Sequence, residues 1–184
     1  MLQRASPQVS DQGLAETGAS AFRFSGYASL FNLPDLSGDK VLMGAFHRSL
    51  RARGAAGIRM LWNHDPAEPI GVWTSINEDP YGLRVEGRLT CNVARSAGLA
   101  ALISDGALDG LSIGFHTIRS DRPRGTKGRR LIEVDLWEIS LVAFPMQPGA
   151  RVDRIVPAAT NNPSAETFPP PATQLATSHP TMSA

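Results

Sequence analysis

Residues 108–118 read Leu108-Asp109-Gly110-Leu111-Ser112-Ile113-Gly114-Phe115-His116-Thr117-Ile118, and the fold turns on whether Ser112 opens a helix or sits within a strand. Gly110 to Gly114 fits G-x-S-x-G, the strand-to-helix elbow that exposes a nucleophilic serine in α/β-hydrolases. The residues after Ser112 argue against that elbow. Ile113, Phe115, Thr117 and Ile118 are β-branched or aromatic, and apolar and polar side chains alternate with a period of two. The stretch is therefore read as one strand, with Leu111, Ile113 and Phe115 on the core face and Ser112, Gly114 and His116 on the other. Ser112 then faces a cleft or solvent beside a glycine.

The neighbouring segments follow the same period. Residues 22–31 alternate as a half-buried strand, and 32–39, with Pro34, Gly38 and two aspartates, form a loop. Gly44 to Arg53 suits a short helix with Phe46 and Leu50 on one face. Ile58 to Trp62 is a strand that delivers His64 at its end, and Pro66 and Pro69 bracket a turn. Ile70–Asn77 and Leu83–Thr90 form a hairpin across Asp79-Pro80-Tyr81-Gly82. Asn92 is the expected cap of a second helix, Val93–Ser104, whose apolar side carries Leu99, Leu102 and Ile103. Arg130 to Phe144 is the last long strand. The pattern is mainly β with a few helices, and predicts a small, largely antiparallel β-barrel flanked by helices. Residues 22–156 are the expected domain. Residues 1–21 read as a flexible segment, and 157–184, rich in Pro, Ala and Thr, as a disordered tail.

Charge excludes several function classes. The net charge is +1, and the 16 arginines, against 2 lysines, are scattered, so nucleic-acid binding lacks a basic face with aromatic platforms. The one concentration, Arg119 to Arg130, contains Pro123, Gly125 and Gly128 and reads as a mobile, solvated hairpin tip. A single cysteine, Cys91, makes neither an internal disulfide nor a zinc site. His64-Asp65-Pro66-Ala67-Glu68 gathers three ligand types, but no second histidine follows at metal spacing, so no metal or cofactor is expected. No apolar run approaches ~18 residues, and no leader pattern opens the chain, which favours a soluble cytoplasmic protein without a membrane role.

A nucleophilic serine needs a base and an orienting group. His116 shares Ser112's face but lies four residues along the strand, about 13 Å away at roughly 3.3 Å per residue. His47 falls on a helix surface and His179 in the tail, which leaves His64 as the base or as a turn histidine bonded to Asp65. Strict alternation over 132–142 puts Ile132, Val134, Leu136, Glu138, Ser140 and Val142 on one face, so Glu138 is a carboxylate among apolar neighbours. It needs a partner, either a histidine that becomes imidazolium or one of the arginines.

The ordered segments Gly26-Tyr27-Ala28, Phe31-Asn32, Gly44-Ala45-Phe46, Leu61-Trp62-Asn63-His64-Asp65, Pro69-Ile70-Gly71, Gly110–Phe115 and Leu136–Val142 with Pro145 together resemble the phage prohead (capsid maturation) protease family over about residues 24–153. The resemblance implies a serine endopeptidase with a herpesvirus-protease-like barrel. Its substrate would be the scaffolding region of the major capsid protein, cleaved inside the procapsid in the host cytoplasm, with self-cleavage. On the motif match His64 and Ser112 carry over as base and nucleophile, and Glu138 as the acid, with Asp65 and His116 as alternatives for that third place. The Gly125–Arg130 loop, with Arg129 and Arg130, is a candidate source of oxyanion donors. A homodimer is expected only by analogy with herpesvirus relatives. A non-enzymatic capsid assembly or scaffolding protein with the same fold is the competing function.

Overall fold

The computed structural model describes residues 22–90 and 93–156. Eight strands and two helices follow in the order β1 (Arg23–Leu30), β2 (Lys40–Val41), α1 (His47–Arg53), β3 (Arg59–Trp62), β4 (Asp65–Glu78), β5 (Gly82–Leu89), α2 (Ala94–Ser104), β6 (Gly110–Asp121), β7 (Arg130–Val142) and β8 (Val152–Val156), with a 3₁₀ turn at Ala55–Gly57. The chain is mainly β, as the alternation predicts. All strands join one sheet in the order β2-β7-β3-β4-β5-β1-β8, with β6 on the other side of β7. Most pairings are antiparallel. The exceptions are β2 and β3, which both run parallel to β7.

The hydrogen-bonded sheet is not closed. Its two ends meet at a corner, through the isolated bridge Gly110↔Arg151 and the bonds from Leu111 N–H to Ala150 O (2.9 Å) and Val152 N–H to Asp109 O (2.7 Å). The buried side chains form one core cluster. Phe24 stands edge-on to Trp73 at 5.7 Å, and Phe31 packs near Phe46. Met60, Ile70, Leu83, Leu111, Leu136, Ile139 and Leu141 are also buried there. Each such aliphatic or aromatic side chain contributes about 1.5–3 kcal/mol through burial.

Several expectations change in detail. α1 begins at His47 rather than Gly44. The Glu78 carboxylate accepts the Gly44 and Phe46 amides (2.9 and 2.8 Å) just ahead of it, a cap supplied by β4 and invisible in the local sequence. Pro66 and Pro69 lie inside β4, which starts at Asp65, so they bracket no turn. The α2 cap is Val93, with no side-chain hydrogen bond, and Asn92 falls outside the described residues. On α2, Leu99 and Ile103 are buried while Leu102 is exposed. β2 and β8 were not foreseen as strands. β2 is two residues long, too short for a period to register. Nor is the arginine-rich tip simply solvated, because Arg129 pairs with Asp39 and Arg130 with Asp121.

Candidate active site

The site forms where the β3–β4 turn, β7 and β6 lie side by side. Trp62 pairs with Asp65, so Asn63 and His64 are the two central residues of a tight hairpin turn. Both have positive φ, 49° and 61°. That is the backbone demanded by a primed two-residue turn, where Asn is favoured and histidine is less so. A histidine held in this region costs energy and persists only where its surroundings over-determine it. Here β7 does so. Asn63 N–H donates to Leu141 O at 3.0 Å, and His64 N–H donates to Ser140 Oγ at 3.1 Å.

β7 supplies the acid through an irregularity in the ladder. Gly114 pairs with Glu138, but the next residue, Phe115, pairs with Leu136, so Trp137 is an extra residue in the ladder. This β-bulge lets Leu136 and Ile139 both reach the core, three residues apart, and turns Glu138 and Ser140 away from it. The expected apolar face for Glu138 is therefore corrected: the bulge moves it off the face of Val134 and Leu136. Among the described residues its charged partner is a histidine and no arginine. His64 Nδ1 lies 2.5 Å from Glu138 Oε1, with side-chain exposures of 42% and 13%. Ser140 Oγ donates to Glu138 Oε2 at 2.6 Å. The bond and charge of Glu138 hold the His64 pKa above its ordinary value, against the opposing effect of burial.

β6 faces this pair. Ser112 pairs with Ser140, two residues along the ladder from the Gly114–Glu138 pair. Ser112 is 7% exposed and lines a cleft of about 810 Å³ together with His64, Asn63, Asp39, Arg129 and Phe144. His64 and Glu138 are thus in contact. Ser112 lines the same cleft as His64, with no hydrogen bond to it among the described residues.

The other candidates fall elsewhere. His116 stacks on Trp137 (centroids 5.0 Å, 13° apart) and pairs with Asp135, occupied outside the cleft. The Asp65 carboxylate accepts Ala67 N–H at 2.8 Å. Arg129 lines the cleft, but its backbone N–H and its guanidinium are both engaged by Asp39. Arg130 turns to Asp121. The sequence reading missed Ser140 as part of the site; its only signal was its position two residues from Glu138, on the same face.

Residues 10–164 match the family model of the caudovirus prohead serine protease. The chain belongs to that family. Among its relatives is the prohead protease of Enterobacteria phage HK97, 38% identical over 131 residues, or 70% of this chain and 58% of the phage protein. The chain thus spans less than two thirds of this prohead protease relative. Among solved structures, the KSHV protease bound to a hexapeptide phosphonate inhibitor aligns with a TM-score of 0.47 at 14% identity, covering 72% of this chain and 64% of that one. The varicella-zoster virus protease aligns with a TM-score of 0.42 at 15% identity, covering 72% and 63%.

Proposed function

We propose that this prohead protease family member is a serine endopeptidase that cleaves the scaffolding region of the major capsid protein during maturation of a phage or phage-like prohead, inside the procapsid. The observation that carries the reading is the His64–Glu138 contact opening onto the cleft that Ser112 lines. With Nδ1 engaged by Glu138, Nε2 is the nitrogen left to exchange a proton. Ser112 Oγ attacks the peptide carbonyl carbon as His64 takes the hydroxyl proton, and Glu138 stabilises the imidazolium so formed. The C–N bond then breaks, and His64 returns the proton to the leaving amine. Water, deprotonated by the same histidine, releases the acyl group and regenerates Ser112.

The test is co-expression of the chain with its capsid protein, wild type against Ser112→Ala. The wild type shortens the capsid protein and the variant leaves it whole. Equal shortening by both sinks the reading. A fluorophosphonate probe separates the enzyme from a scaffolding protein of the same fold, because only an activated Ser112 is labelled.

A further inference from the structure

We propose that Ser140 is a positioning residue of this site, a buried latch whose single hydroxyl fixes both the backbone of His64 and the carboxylate of Glu138. The inference rests on the roles given above to Ser112, His64 and Glu138, and it adds a fourth side chain that touches neither substrate nor the reacting atoms.

A serine hydroxyl has one hydrogen to donate and lone pairs to accept with. Ser140, with no exposed surface, uses both: it accepts His64 N–H at 3.1 Å and donates to Glu138 Oε2 at 2.6 Å. The other carboxylate oxygen, Oε1, meets His64 Nδ1. The contacts close a ring that runs from the His64 backbone through Ser140 and Glu138 to the His64 imidazole. Two degrees of freedom are thereby removed. The carboxylate cannot rotate without losing one of its two partners, and the positive-φ turn cannot relax without losing the hydrogen bond from His64 N–H to Ser140 Oγ. Gly114 makes room for this arrangement. A Cβ at that position would overlap Glu138 Oε1, so the carboxylate lies in the space left by the missing side chain of β6. An ordinary strand serine would satisfy its own hydroxyl and nothing more. This one joins a base on the β3–β4 turn to an acid on β7.

The charged groups around His64 are Glu138 on β7 and Asp65 beside it on β4. Across the cleft are Asp35, Asp39 and Arg129, of which the last two neutralise each other. Among the described residues only Glu138 pairs with the imidazole, so the titration of His64 reports how well Glu138 is held.

The experiment measures kcat and KM against pH on a peptide spanning a capsid-protein cleavage site, and titrates His64 by NMR, for the full chain and for Ser140→Ala, Ser140→Cys and Ser112→Ala. Expected for Ser140→Ala are a kcat lower by about tenfold to hundredfold, the cost of a lost hydrogen bond to a charged group, a KM within about twofold, and a His64 titration moved down toward ordinary imidazole. Ser140→Cys, with a weaker donor of similar shape, falls between. A His64 titration that stays put, or moves up because the freed carboxylate carries more charge, overturns the latch even if kcat drops. If Ser140→Ala does not fold, the same readouts on Ser140→Cys decide. Full activity in Ser112→Ala overturns the protease reading itself. An inactive Ser112→Ala beside an unshifted Ser140→Ala overturns only the latch.

Discussion

His64 can act as a base only while uncharged, and Glu138 favours its charged form. With His64 as the proposed base, the acidic limb of kcat/KM, which reports free enzyme, is expected above the ordinary imidazole value of about 6.5. Glu138→Gln keeps the shape and removes the charge. It is expected to move that limb down toward about 6.5 and to lower the plateau by about a hundredfold or more, because the imidazolium of the transition state loses its counter-charge. A pH–rate profile of the two proteins checks both effects, and a limb that stays in place would show that another group holds His64. The stability sign runs the opposite way to activity. A raised native pKa stabilises the fold below the unfolded histidine's value, and that contribution is lost as pH rises through the native one. On the proposed mechanism, activity is expected to rise over the window in which this pair ceases to support the fold. Ser112, His64 and Glu138 were legible as candidates because each is a reactive type in a place that needs explaining: beside a glycine, at a strand end, or buried without an evident partner. Ser140 was not, since a serine in a strand has many ordinary uses and only the crossing of two distant elements reveals this one.

At the scale of the strand, the site depends on the bulge at Trp137. Alternation located β7 correctly but could not reveal the inserted residue, because Leu136-Trp137-Glu138-Ile139 places at least one large apolar side chain on each face. What fixes the register is a surface cluster. The exposed Trp137 ring stacks on His116, lies 5.4 Å below the Arg53 guanidinium, and donates its indole N–H to Asp135 Oδ2 at 2.8 Å. Arg53 in turn binds Asp135 and Leu136 O. The extra residue is thus pinned outward by α1 on one side and β6 on the other. Trp137→Ala removes the stacking and the cation–π contact, each about 0.5–1 kcal/mol at an exposed position. Expected are a loss of about 1–2 kcal/mol in denaturant unfolding and a drop in kcat/KM larger than that modest loss of folded protein explains, because Glu138 loses its aim. Trp137→Phe, which keeps the stack, should recover most of the activity. Equal activity in Trp137→Ala and wild type would show that the bulge holds without its pin.

For the whole molecule, the question is what keeps an unclosed sheet in register around the cleft. The chemistry-bearing strands β6 and β7 stand at one end of the hydrogen-bonded path and β1 and β8 at the other, so the corner at Gly110 and Arg151 carries the closure. It lies beside Ser112, since Leu111 N–H is bonded to Ala150 O. Two kinds of contact meet there. The Arg151–Asp109 ion pair is exposed at both partners, and such pairs contribute about 0–1 kcal/mol. The backbone approach is of another order. Tyr27 N–H donates to Arg151 O at 3.1 Å, and a Cβ at Gly26 would overlap that same carbonyl and crowd Val152 Cα. Backbone cannot swing aside as a side chain can, so Gly26→Ala must push β1 away from the segment that joins it to β6. It is expected to cost about 2 kcal/mol or more, while Arg151→Ala costs under about 1 kcal/mol. Gly26→Ala should also depress kcat/KM at temperatures where the protein remains folded, because the displaced corner adjoins the serine. Chemical denaturation of both variants, with activity measured alongside, decides the point. If Arg151→Ala proves the more damaging, the corner is held by charge, and the close backbone approach is not what sets the register.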